Sequence, residues 1–110
     1  MADIKKINSL EEYDGFVNAP DTLNVVKVGA SFCGPCRTLE QTIRELAPEE
    51  VSGVLLGEID ADDEWAEDKI DELKIRGIPV MIAFKGGEEK ERVQGGMTKV
   101  ALTEFIERNK

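Results

Sequence analysis

Two cysteines stand at positions 33 and 36 in the stretch FCGPC, separated by Gly34 and Pro35, and no other cysteine occurs in the 110 residues. Thiols at this spacing can close a small disulfide ring and exchange it with other disulfides, or they can form half of a metal site. Zinc takes about four ligands, and with no histidine and no third cysteine a zinc site would need two chains. A purely structural disulfide across so short a loop adds little stability by the chain-entropy argument. Thiol-disulfide exchange is therefore the leading chemistry, with Cys33 and Cys36 as candidate catalytic residues and their reversible disulfide as the only redox centre.

The flanking pattern positions both sulfurs. Leu23 to Gly29 is largely apolar on both sides of the strand alternation, as in an interior strand covered on two faces. After the cysteines, Leu39, Ile43 and Leu46 recur at helical spacing until Ala47-Pro48. Cys33 thus follows a strand and Cys36 falls in the first turn of a helix, where unpaired N-H groups point outward and favour thiolate. A thiol of pKa ~8.5 is only ~3% ionised at pH 7, and a shift of about 1.5 units, about 2 kcal/mol, makes it half ionised. A helix terminus can supply up to ~2 kcal/mol. Pro35 fits the first turn because the N-H it lacks would have no helical acceptor. Cys33, at the exposed end, attacks a target disulfide; Cys36, deeper in the turn, resolves the mixed disulfide.

The rest of the chain reads as alternating elements. Asp3 to Ile7 predicts a short strand, and Asn8-Ser9 caps a helix whose inner face carries Leu10, Tyr13 and Val17, closed by Pro20-Asp21. Val54 to Asp60 predicts a strand, and Asp62-Asp63-Glu64 opens a helix with Trp65, Lys69 or Ile70, and Leu73 inward. Trp65 is expected to anchor the core. Val80 to Phe84, the Gly86-Gly87 turn and Glu88 to Gln94 predict a hairpin with a polar edge strand. Gly95-Gly96 ends it, Thr98 caps, and Leu102, Phe105 and Ile106 anchor a last helix. The order β-α-β-α-β-α-β-β-α implies an α/β fold with helices on both faces of one sheet. One domain over residues 1–110 is expected, a length sufficient for a core without metals or crosslinks.

Composition excludes several function classes. A hydrophobic fraction of 41% with 34% charged residues is that of a folded domain. The net charge of -9 repels phosphate backbones and anionic membranes, so neither nucleic acid nor membrane is an expected partner. Nine acidic residues between Glu58 and Glu72, against Lys69 alone, read first as a solvated helix face. MADIKKINSLEEY has no apolar core of a signal peptide, so the chain reads as cytoplasmic, although a mature form that has lost its leader reads the same way. A monomer is expected.

FCGPC resembles the thioredoxin active site, and RGIPVMIAFKGGE with VQGG resembles the segment that follows the third helix of that family. The resemblance spans nearly the whole chain. It implies the thioredoxin fold, a mixed five-stranded central sheet in the order 1-3-2-4-5 flanked by four helices. It also implies a cis peptide bond before Pro79, strand-like pairing of a substrate peptide with Ile78, and a shallow apolar groove of Phe32, Ile78 and Gly95 around Cys33. No bound cofactor is implied; the expected partners are disulfide-containing proteins and a flavin- and NADPH-dependent thioredoxin reductase.

Several positions depart from that family. Phe32 replaces a tryptophan, Gly29 replaces a second one, and Gln41 stands where a proline kinks the active-site helix. Lys27, inside the run VVKVG, occupies the place of a buried aspartate that handles the proton of the resolving cysteine, and the lysine that accompanies that aspartate is Leu56. Lys27 is thus a further candidate catalytic residue, as a cation favouring the Cys36 thiolate, as a neutral base, or as the partner of Glu58 or Asp60; an ammonium that snorkels to water is the bland alternative. The function implied is protein-disulfide reduction. A docking subunit without turnover, or an oxidase or isomerase using the same pair in reverse, are the alternatives.

Overall fold

The computed structural model describes residues 2–110. Its strands are β1 (Lys5–Lys6), β2 (Leu23–Gly29), β3 (Val54–Asp60), β4 (Val80–Lys85) and β5 (Glu88–Gln94). Its helices are α1 (Leu10–Val17), α2 (Gly34–Arg44), α3 (Ala66–Glu72) and α4 (Lys99–Asn109), with a 3-10 turn over Pro48–Val51. The sheet order is β1-β3-β2-β4-β5. β2 is parallel to β3 and antiparallel to β4, and β4 pairs antiparallel with β5, so the sheet is mixed.

All seven residues of β2 are buried, which follows from its position between β3 and β4 with helices on both faces. Alternation divides its side chains. Val25, with Leu56, Met81 and Ala83, packs under Leu39, Ile43 and Leu46 of the α2 segment and Leu102, Phe105 and Ile106 of α4. Val26 and Val28, with Ile59, Val80, Ile82 and Phe84, pack against Tyr13, Phe16 and Val17 of α1 and Ala66 of α3. The first face also carries Lys27. No helix among the described residues is long and apolar enough to cross a membrane.

Three local expectations need correction. β1 covers only Lys5–Lys6, an edge strand paired on one side with Gly57 and Glu58. Leu10 is 49% exposed: Ser9 caps α1 by accepting the Glu12 N-H, which sets Tyr13, Phe16 and Val17 inward instead. α3 starts at Ala66 because the Asp60 carboxylate accepts the Asp62 N-H and its carbonyl accepts the Asp63 N-H, so these residues form a turn. Trp65 is half-buried beside the second core, and its buried indole N-H finds no acceptor among the described residues.

Tyr13 gives the α1 face a pH signature. Burial, reinforced by Asp14, Glu72 and Glu89, pushes its phenol up to about 12. The unfolded chain titrates near pKa ~10, so between roughly pH 10 and 12 the unfolded state loses a proton that the folded state keeps. Stability from this group is therefore complete below about pH 10 and falls as pH rises through that window. Urea midpoints across it should drop more steeply for wild type than for Tyr13→Phe, and parallel profiles would remove Tyr13 from the account.

Candidate functional site

Cys33 is the N-cap of α2: its backbone is extended and its sulfur accepts the Cys36 N-H at 3.2 Å. Gly34 and Pro35 fill the first turn, and the Cys33 carbonyl accepts the Arg37 N-H. The two sulfurs are joined in a disulfide, with the Cα atoms 5.2 Å apart. Burial separates the two sulfurs, since Cys33 is half-buried while Cys36 is 1% exposed. A target can reach only the first.

The predicted groove residues come from three loops. Phe32, ahead of α2, is 73% exposed, a large apolar side chain left outside the core. The Ile78-Pro79 peptide bond is cis and leads directly into β4. Gly95, with φ of 96°, donates its N-H to the Pro79 carbonyl at 2.8 Å. That bond ties the end of β5 to the start of β4, and the conformation is one that favours glycine.

Lys27 is buried on β2, and its ammonium lies 3.2 Å from Glu58 Oε2 and 3.3 Å from Glu40 Oε1. Parallel register sets Lys27 beside Glu58. Asp60 is engaged in the turn described above instead. The lysine nitrogen thus faces two carboxylates rather than open water, donating a hydrogen bond to Glu40 and pairing with Glu58. Glu40 also pairs with Arg44 at 3.5 Å. Burial acts to raise the Glu40 carboxyl, but the Lys27 charge and hydrogen bond, with help from Glu58 and Arg44, prevail and hold it below its usual range.

Glu40 was not anticipated. It lies four residues after Cys36, hence on the same face of α2. An acid at that offset from a buried cysteine, above a strand carrying a buried lysine, was the available signal. Between them, Gly29, Cys36, Lys27, Glu40, Glu58 and Asp60 line much of a cavity of about 180 Å³. A Cβ on Gly29 would lie 3.1 Å from Cys36 Sγ and 3.7 Å from Lys27 Cε, so glycine here is what lets the sulfur and the lysine stem approach the same point of the backbone.

A sequence profile described as thioredoxin matches residues 4–108. The chain belongs to the thioredoxin family. It is 36% identical over 98 residues to the chloroplastic M-type thioredoxin of Zea mays, covering 89% of this chain but only 58% of the maize protein. It is 34% identical to the thioredoxin of Chlamydia caviae, covering 92% of this chain and 94% of that protein. Among solved structures, Fasciola hepatica thioredoxin superposes with a TM-score of 0.84 at 26% identity, covering 97% of this chain and all of the other.

The thioredoxin fold is thus the observed one, and the departures from the family's pattern acquire locations. Gly29, in place of a tryptophan, borders the cavity behind Cys36. Gln41 lies within an α2 that runs uninterrupted from Gly34 to Arg44. Leu56 joins the first core, while the buried cation Lys27 lies on β2 with its acids on β3 and α2.

Proposed function

We propose that this chain is a protein-disulfide reductase working through Cys33 and Cys36. The observation that carries the reading is the Cys33 sulfur at the N-terminus of α2, receiving a backbone N-H and bonded to a buried second cysteine. In the reduced protein, the Cys33 thiolate attacks a target disulfide; one target sulfur leaves as thiolate and takes a proton, and a Cys33-target bond forms. Cys36 then loses its proton and attacks the Cys33 sulfur, forming the Cys33-Cys36 bond and expelling the second target sulfur. Two electrons pass from this chain to the target.

Gly34 and Pro35 shape the turn that presents Cys33. Phe32, Ile78, Pro79 and Gly95 form the surface on which an extended target segment lies, with Ile78 pairing its backbone. Lys27 replaces the family's buried acid as a cation that favours the Cys36 thiolate. Disulfide-containing proteins are the substrates, and a flavin- and NADPH-dependent thioredoxin reductase returns the electrons. The full-length match to the chlamydial thioredoxin supports this assignment.

The test is reduction of insulin disulfides in excess dithiol, followed by precipitation of the released chains. The protein should accelerate precipitation well above the dithiol alone at catalytic amounts; a rate equal to that background would overturn the reading.

A further inference from the structure

Lys27 has one ammonium and, in the oxidised protein, two carboxylate partners of unequal accessibility. The Glu40 side chain is 36% exposed and the Glu58 side chain 21%. Glu40 also has a second cation within reach, Arg44. Reduction of the disulfide frees Cys36, which can then present a third anion close to the same lysine, across the space that a Cβ on Gly29 would occupy. Of the two carboxylates, Glu40 is the more exposed and the one with a second cation, Arg44, to turn to, releasing the ammonium toward sulfur.

We propose that Glu40 is a positioning residue that sets the acidity of Cys36 by competing with its thiolate for the Lys27 ammonium. The inference rests on the dithiol reading above and names the residue that tunes its second step. The charged groups facing Glu40 or sharing its cavity are Lys27 from β2, Glu58 and Asp60 from β3, Lys6 from β1, and Arg37 and Arg44 from α2. Three of the cavity's charged residues are cations, Lys6, Lys27 and Arg37, and three are acids, Glu40, Glu58 and Asp60. Loss of one acid therefore tips the cavity toward positive and stabilises a nearby thiolate. The Cys36 proton leaves to water, for which a polar cavity of about 180 Å³ has room. No bond or electron count differs from the exchange already written.

Glu40→Gln keeps the shape and removes the charge. Titration of Cys36 is followed by carbon NMR of labelled cysteine in a Cys33→Ser background, where a single thiol titrates. The midpoint should move to lower pH, with roughly tenfold more thiolate at a given pH below it, because the ammonium that Glu40 had held is left to the sulfur. Lys27→Met should move it the opposite way. With Lys27→Met already present, Glu40→Gln should move it less than half as far. In the two-cysteine protein, at a pH above the Cys36 midpoint of both forms, Glu40→Gln should raise the reduction potential by about 30 mV, the equivalent of tenfold for two electrons.

An unmoved or upward-shifted midpoint in Glu40→Gln overturns the proposal, as does an equal shift with and without Lys27. A merely structural role would lower stability and leave the midpoint in place, which also overturns it. Titration and potential are read on the protein alone, without target or reductase. Failure of insulin reduction by wild type would thus count against the reductase reading and not against Glu40.

Discussion

Replacing Cys36 by serine is expected to stop turnover after half a cycle and leave each chain joined to its target through Cys33. The attacking half of the site survives that change. Cys33 keeps its place as N-cap of α2, and the backbone N-H that its sulfur accepts belongs to residue 36 whatever its side chain. Donation from an N-terminal N-H, together with the helix dipole, is worth up to ~2 kcal/mol toward the thiolate, enough to bring a thiol of ordinary acidity to about half ionised at neutral pH. The resolving sulfur is gone, so the mixed disulfide waits for external dithiol. Cys33→Ser should behave differently, since Cys36 at 1% exposure offers a target no line of attack. Both variants should fall to the background rate of the dithiol in insulin reduction. Intact mass under non-reducing conditions should show one target per chain for Cys36→Ser and none for Cys33→Ser. An adduct through Cys36 would reverse the assigned roles.

Which sulfur lies outermost was legible in FCGPC itself, because the strand-to-helix transition places Cys33 at the cap and Cys36 in the first turn. The bounds of β2, β3 and β5 were legible too, since largely apolar segments of strand length mark the first two and the paired glycines at 86–87 and 95–96 bracket the third. Strand order was not: alternation says which residues face a helix but not which strands are neighbours, and the order 1-3-2-4-5 came from the family resemblance. Lys27 could be matched to Glu58 or Asp60 on strand adjacency alone, and only the parallel register, Lys27 beside Glu58, decides between them. Glu40 escaped because its partner lies 13 positions away and the packing of α2 on the sheet has no local signature. The late start of α3 has a different cause: Asp60 and Asp63 satisfy nearby N-H groups in a turn, a competitor that helical periodicity does not register.

Lys27→Met should weaken the protein and slow its resolving step together, and the two effects have opposite pH limits. Methionine keeps the apolar stem but leaves Glu40 and Glu58 facing one another without a cation. Removing one partner of a fully buried pair costs about 3–5 kcal/mol. Here the glutamates are 36% and 21% exposed and can turn toward water, so about 1–2 kcal/mol is expected at pH 7. Glu40 titrates below its usual range in the folded protein, so its stabilisation is present above the unfolded carboxylate value of about 4.3 and is lost as pH falls through the folded one. The urea midpoints of variant and wild type should therefore converge on acidification. For the chemistry, a cation about 7 Å from sulfur at an effective dielectric of about 20 favours the thiolate by about 2 kcal/mol, or roughly 30-fold. Release of a target from the Cys33 mixed disulfide should be slower by that factor near neutral pH, and the gap should close once the pH exceeds the Cys36 midpoint of both proteins. Rates that coincide across the whole range would leave Lys27 a purely structural partner of its two glutamates and return the acidity of Cys36 to the N-terminus of α2 alone.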